Sequence, residues 1–212
     1  TRPFVVVGIP NAGEKRANEF FPQIPFERMS TSDKQQLAGA ERKKSDFAVF
    51  SDAYLKFLVK EVIPYVESHY SVNVGGEHRY LAGSSMGGLI SWYGLVQYPD
   101  EFAGAACIST HWVGGHNDND VAFNQFYRYF KENMAKLAGH KIYFDHGDQT
   151  LDAKYPKFQR RIDQLLEQAQ LKPFSWQSEF FPGHAHDEIS WNKRLHVPLT
   201  FLFGTETAQT GS

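Results

Sequence analysis

The 212 residues carry 22 Lys and Arg against 24 Asp and Glu, a formal charge of -2, with 42% of positions hydrophobic and 22% charged. That balance excludes a disordered chain, and no run approaches the roughly 18 apolar residues of a membrane span, so no membrane partner is expected. Without a basic block there is no footprint for nucleic acid, and the single Cys107 makes neither an internal disulfide nor a four-cysteine zinc site.

The first element is residues 4–9, FVVVGI, an apolar run ended by Pro10 that predicts a buried strand. The preceding Thr-Arg-Pro shows no positive n-region, apolar h-region or cleavage site, so no compartment is read from it. Residues 10–50 form a long polar connection containing Pro22, Pro25 and a Lys/Arg/Glu/Gln-rich stretch. A connection of that length is expected to be a lid or a mobile segment. Residues 52–70 place Leu55, Leu58, Val59, Val62, Ile63 and Val66 at helical spacing, with Ser51 or Asp52 as cap and a kink expected at Pro64.

From there strand and helix alternate: strand 79–84, helix 86–97, strand 104–109, helix 121–138, strand 141–146, helix 155–169, then an alternating strand 174–181 toward an edge and a closing helix 191–202. In the helix over 121–138, Phe123, Phe126, Tyr127 and Phe130 recur at helical spacing and read as a buried face rather than a sugar-binding platform. The alternation predicts one α/β domain over residues 1–212: a mostly parallel sheet with helices on both faces and function in the loops at the carboxyl ends of the strands.

The sharpest local feature is Gly83-Ser84-Ser85-Met86-Gly87, a G-x-S-x-G pattern between a strand and a helix. Such a turn pushes the serine outward as a nucleophile, and glycines let the chain pass without a Cβ clash; the bland alternative is a glycine-rich turn with an incidental serine. A serine nucleophile needs a base and an orienting acid, which in this type of fold follow in the order serine, acid, histidine. The loop after strand 141–146 offers Asp148 and Asp152, each of which could instead cap a helix, and the loop after strand 174–181 offers His184 and His186. Spacing does not choose between them.

GSSMGGLISWYGLVQYPDEFAGAACIS, IYFDHG with TLDAKY, and FPGHAHDEISWNKRLHVPLTFLFG resemble the esterase family of α/β-hydrolases, the group of feruloyl and acetyl-xylan esterases, esterase D-like enzymes and enterochelin-esterase-like proteins. The resemblance runs from about Pro3 to the C-terminus. The family pattern His-(Asn/Asp/Ser)-Glu-x-x-Trp-x-x-Arg-Leu falls on His186 to Leu195 and implies His186 as base. The pattern Asp-x-Gly-x-x-x-Leu-Asp falls on Asp145 to Asp152 and implies Asp152 as acid, with Asp148 as runner-up. Ser85 would then attack an ester carbonyl, His186 would move the proton, and the Met86 N–H would stabilise the oxyanion.

Family members carry a further strand-bearing stretch ahead of the segment matching FVVVGI, so the fold is expected to be shortened at the N-terminus. The second oxyanion donor would come from a preceding segment, from a partner chain, or from the loop Pro10-Asn11-Ala12-Gly13, with Asn11 the residue assigned. The segment Ser109-Thr110-His111-Trp112 resembles one that lines the substrate pocket, which makes His111 and Trp112 candidate contacts. His111, His116, Asp118, Asp120, His184, His186 and Asp187 could in principle ligate a metal, but short His/Asp clusters in polar loops are more often solvated, and no metal or other cofactor is expected. The resulting expectation is a serine carboxylester hydrolase acting on small or carbohydrate-linked esters of feruloyl or acetyl type. A non-catalytic α/β-hydrolase-like binding domain is the alternative, and an exposed sheet edge would invite a homo-oligomer.

Overall fold

The computed structural model describes residues 1–38, 48–115 and 120–204. Its sheet has four parallel strands, β1 (Tyr80–Ser84), β2 (Gly104–Ile108), β3 (Lys141–His146) and β4 (Ser175–Phe180), in that spatial order. Every residue of β2 is buried, as a strand covered on both faces requires.

The helices are α1 (Arg16–Phe20), α2 (Gln23–Glu27), α3 (Thr31–Ala38), α4 (Ser51–Phe57), α5 (Ile63–His69), α6 (Met86–Gln97), α7 (Val121–Glu132), α8 (Pro156–Gln168), α9 (Glu188–Arg194) and α10 (His196–Phe203). Side chains alternate across the sheet. Leu81, Ala105, Cys107, Ile142 and Phe144 pack into the large core with α6, α7 and α8, whereas Tyr80, Ala106 and Tyr143 meet Leu202 and Phe201 of α10 on the other face. Phe123, Phe126 and Phe130 of α7 are fully buried, each contributing about 1.5–3 kcal/mol of transfer free energy. Among the described residues no helix is long and apolar enough to cross a membrane.

Several sequence expectations change. Residues 4–9 join no sheet: Val5, Val6 and Val7 are exposed, and Phe4 stacks on Phe203 at 4.5 Å. An apolar run becomes a strand only where a neighbour takes up its backbone groups, and no strand lies beside this one among the described residues. The long connection carries α1, α2 and α3, with Pro25 buried inside α2, although residues 39–47 fall outside the described part.

The helix predicted over 52–70 widens at Leu58–Val62 into a π-helical turn. Pro64, just beyond, has no N–H to donate and its ring crowds the carbonyl one turn back, so the predicted kink is absorbed there. Neither Ser51 nor Asp52 caps that helix. Ser51 Oγ accepts the Gln23 N–H at 3.0 Å and Asp52 Oδ1 accepts the Tyr93 hydroxyl at 2.6 Å, tying α2 and α6 to α4. The predicted closing helix divides into α9 and α10.

Candidate active site

Ser85 stands between β1 and α6 with φ 58° and ψ -120°. A non-glycine residue there stores about 1–3 kcal/mol of strain and is held by its surroundings. Its N–H donates to the Ile108 carbonyl at 2.9 Å, and its own carbonyl accepts the N–H groups of Gly88, Leu89 and His111 at 3.0–3.2 Å. Gly83 permits the turn, since a Cβ at that position would lie 2.5 Å from the Gly87 carbonyl oxygen. The N–H groups of Met86 and Gly87, at the start of α6, have no acceptor among the described residues, which leaves two donors and the positive end of a helix beside Ser85.

The loops after β3 and β4 press together at Gly147, where any Cβ would collide with the His184 carbonyl. That carbonyl accepts the N–H groups of Asp148 and Gln149 at 3.1 and 3.0 Å, while Asp148 Oδ1 accepts the Gly183 N–H at 2.8 Å. Asp148 and His184 therefore lock the two loops to each other. Clamped in this way, the loops bring Asp152 Oδ1 to 2.6 Å from His186 Nδ1, and His186 Nε2 to 2.8 Å from Ser85 Oγ. An ionised carboxylate only accepts, so Nδ1 carries the imidazole proton and Nε2 is free to accept the Ser85 hydroxyl proton. Of the residue pairs the sequence left open, Asp152 and His186 are the ones that meet Ser85.

Asp152 is fully buried. Burial pushes its carboxyl up, but hydrogen bonds from His186, from Ser109 Oγ at 2.6 Å and from the Gly147 N–H at 2.7 Å hold it below the usual carboxylate range. Ser109 also accepts Arg194 Nη2 at 2.6 Å and Trp191 Nε1 at 3.0 Å. Arg194 in turn pairs with Asp145 at 3.0 Å, whose carboxyl is raised by burial despite that guanidinium. The His186 ring is flanked edge-on by Trp191 at 5.0 Å and Tyr155 at 5.6 Å, which limits how far it can turn.

The remaining candidates divide. His111 shares a hydrogen bond with Tyr155 Oη at 3.1 Å and its ring lies 6.5 Å from that of His186, so it borders the site. Trp112 does not. It is 1% exposed, packs on Trp92, Phe123 and Phe144, and donates its indole N–H to Gln159, which makes it a core residue rather than a pocket wall. In the loop containing Asn11, the Gly13 N–H goes to Asn11 Oδ1 at 2.9 Å and the Ala12 N–H to Glu19 at 2.8 Å, and Pro10 has none. Among the described residues, the Asn11 backbone N–H is the main-chain donor left in that loop.

His116 and Asp118 lie outside the described residues. Among the described ones, no group of three or more His, Cys, Asp or Glu side chains could hold a metal. A cleft of about 790 Å³ runs between residues 2–11 and the open edge of β1 and reaches Gly83, Ser84 and Gly87. Ser109, Asp145, Trp191 and Arg194 stand inside motifs that the sequence offers but carried no role of their own there, and Thr150 was not singled out. A signal was present for two of them: Trp191 and Arg194, three apart on α9, share one helix face, and both donate to Ser109.

A family model described as "Putative esterase" matches residues 2–202. The uncharacterized protein YbbA of Bacillus subtilis (strain 168) is 29% identical over 109 residues, covering 51% of this chain and 38% of that protein. Among solved structures, the BES protein from Bacillus cereus superposes with a TM-score of 0.67 at 15% identity, covering 90% of this chain and 66% of that one. A ferulic acid esterase gives 0.52 at 22% identity over 70% of this chain and 60% of its own. The enterobactin esterase FES from Shigella flexneri gives 0.55 at 22%, over 71% and 38%. The likenesses to solved structures are of fold, and the chain spans 38% of YbbA and 38–66% of these structures.

Proposed function

The chain belongs to this esterase family, and on that premise we propose that it is a serine carboxylester hydrolase with Ser85, His186 and Asp152 as its triad. The observation that carries the reading is the unbroken hydrogen-bond chain from Ser85 Oγ through His186 to a buried Asp152, with Ser85 on a strand-to-helix elbow.

His186 Nε2 takes the Ser85 proton as Oγ bonds to the ester carbonyl carbon, and the carbonyl π electrons move onto its oxygen. The Met86 N–H receives that oxyanion, with the Asn11 N–H as second donor. His186 returns the proton to the departing alkoxide, leaving an acyl-enzyme, and then deprotonates the water that releases the acid. Asp152 keeps the proton on Nδ1 and stabilises the imidazolium. Feruloyl, acetyl and other small or carbohydrate-linked esters are the substrate class proposed, by analogy with the ferulic acid esterase of the same fold.

A second reading, a binding domain without turnover, is favoured by one observation: the Ala12 and Gly13 N–H groups are already engaged, which thins the second half of an oxyanion hole. Labelling by a fluorophosphonate with peptide mapping separates the two. Modification confined to Ser85 and absent in Ser85→Ala supports the hydrolase; a folded chain that takes no label supports the binding domain.

A further inference from the structure

Three non-glycine residues among those described have positive φ: Ser85 at 58°, Ser109 at 41° and Thr150 at 54°. Positive φ is uncommon outside glycine and is a true outlier for a β-branched residue such as threonine. All three lie in loops at the carboxyl ends of successive strands, after β1, β2 and β3. Each directs its side-chain oxygen at the His186–Asp152 pair: Ser85 Oγ to His186 Nε2, Ser109 Oγ to Asp152 Oδ2, and Thr150 Oγ1 to the His186 backbone N–H at 2.9 Å. Glycine would occupy such backbone without strain, so a hydroxyl residue there points to a role for its oxygen.

For Ser109 the hydrogen-bond inventory fixes the direction. A hydroxyl has one proton and two lone pairs, and its three side-chain partners are Arg194, Trp191 and Asp152. Guanidinium and indole only donate, so the Ser109 proton can point only at Asp152. The hydroxyl is saturated, polarised by the Arg194 charge on one side and aimed at the carboxylate on the other. Together with the Gly147 N–H at 2.7 Å and Arg194 Nη2 at 3.6 Å, it occupies Asp152 Oδ2 and leaves Oδ1 facing His186. Thr150 acts at the other member, anchoring the His186 backbone to the same turn, Thr150–Lys154, that carries Asp152.

We infer that Ser109 and Thr150 are positioning residues: the Ser109 hydroxyl fixes the Asp152 carboxylate and the Thr150 hydroxyl fixes the His186 backbone, so that the imidazole stands in line with Ser85. The inference rests on Ser85 being the nucleophile. It assigns function to two hydroxyls that touch neither the reacting atoms nor the substrate.

Glycine variants test it, because they relieve the backbone while deleting the oxygen. Thr150→Gly should unfold at the same or higher denaturant than the wild type, whereas Ser109→Gly, which leaves the buried Trp191 indole and Arg194 guanidinium short of an acceptor, should fold but unfold at somewhat lower denaturant. Fluorophosphonate labelling of Ser85 should nevertheless slow, by about 10²-fold in Ser109→Gly, the cost of a misplaced catalytic group, and by a smaller factor in Thr150→Gly. For Ser109→Gly the acid limb of the labelling rate, followed over about pH 5–8, should also move to higher pH, since Asp152 loses one of the donors that hold its carboxyl low while Arg194 Nη2 at 3.6 Å, the Gly147 N–H at 2.7 Å and the His111 and Tyr155 rings around His186 stay in place.

Ser109→Ala, which keeps the strain and loses the hydroxyl, should show the same slowing and the same shift. Wild-type labelling rates and an unchanged pH profile in these variants overturn the assignment. For the Ser109 variants a loss of rate with an unchanged pH profile, for Thr150→Gly a fall in unfolding midpoint that tracks the loss of rate, or for either a glycine variant that does not fold, makes the hydroxyl structural and overturns the assignment equally. Failure of the wild-type chain to label at Ser85 is a separate result, which removes the hydrolase reading on which this one stands.

Discussion

Arg194 Nη2 lies 3.0 Å from Asp145 Oδ1, with the two side chains 1% and 0% exposed and the same nitrogen 2.6 Å from Ser109 Oγ. One buried cation therefore serves a core carboxylate and the hydroxyl that holds Asp152. A pair like this costs several kcal/mol per ion to desolvate, and removing one member leaves the other uncompensated. Arg194→Met is accordingly expected to lose about 3–5 kcal/mol of stability, read from denaturant unfolding. A loss under about 1 kcal/mol would mean the pair behaves like an exposed surface ion pair.

Asp148 and Asp152 stand four positions apart in one loop and have different partners: Asp148 accepts the Gly183 N–H, Asp152 accepts His186. Asp152→Asn keeps the shape but lets the amide stabilise the wrong imidazole tautomer, and should reduce ester turnover by about 10⁴-fold. Asp148→Asn retains an acceptor for Gly183 and should fall by less than about tenfold, because it alters a loop clamp and not a proton position. Steady-state rates on an aryl acetate give both numbers, and a reversed order would hand the acid role to Asp148.

The two glycines of the elbow are not equivalent. A Cβ on Gly83 would sit 2.5 Å from the Gly87 carbonyl, whereas a Cβ on Gly87 would meet nothing within 4 Å. Gly83→Ala should cost about 1–3 kcal/mol and abolish Ser85 labelling by forcing the turn open. Gly87→Ala should be neutral or stabilising by about 0.4–1 kcal/mol. Thermal unfolding and labelling of the pair decide the point, and equal damage from both would contradict the packing described.

Acid should loosen the site through Asp152. Its carboxyl titrates below its ordinary value in the folded chain, so its contribution to stability is fully present above the unfolded carboxyl's pKa of about 3.9 and disappears as pH falls through the folded value. Asp145 has the opposite sign: raised by burial, it favours the fold when protonated and loses that contribution as pH rises through its shifted value. Urea midpoints measured downward from about pH 5 should therefore fall less steeply for Asp152→Asn than for the wild type, and more steeply for Asp145→Asn. Parallel slopes in all three would show that neither carboxyl governs the acid limb.

The four paired strands and the elbow were legible in the chain because their signals are local. The runs at 79–84, 104–109, 141–146 and 174–181 lie within a residue of β1 to β4, and the glycines flanking Ser85 sit on the turn itself. Residues 4–9 carried the same signal and joined no sheet, since a strand is completed by a neighbour that local pattern does not contain. Trp112 was misread for a related reason: a loop at the end of a strand can point outward or down, and here the indole turns into the core, where its N–H meets the Gln159 side-chain oxygen.

Which aspartate and which histidine meet Ser85 was left open by spacing and pointed to only by resemblance; contacts among loops far apart in the chain decided it. Ser85, Ser109, Asp152 and His186 are brought together by the parallel register of four strands, with Gly147 setting how closely two loops can pass. Sequence alone determined where a nucleophile could be presented, because the turn that presents it is built from neighbours in the chain. The tertiary structure decided what surrounds that nucleophile, because a hydrogen bond depends on position within a few tenths of an ångström, and across such loops that position is set by packing.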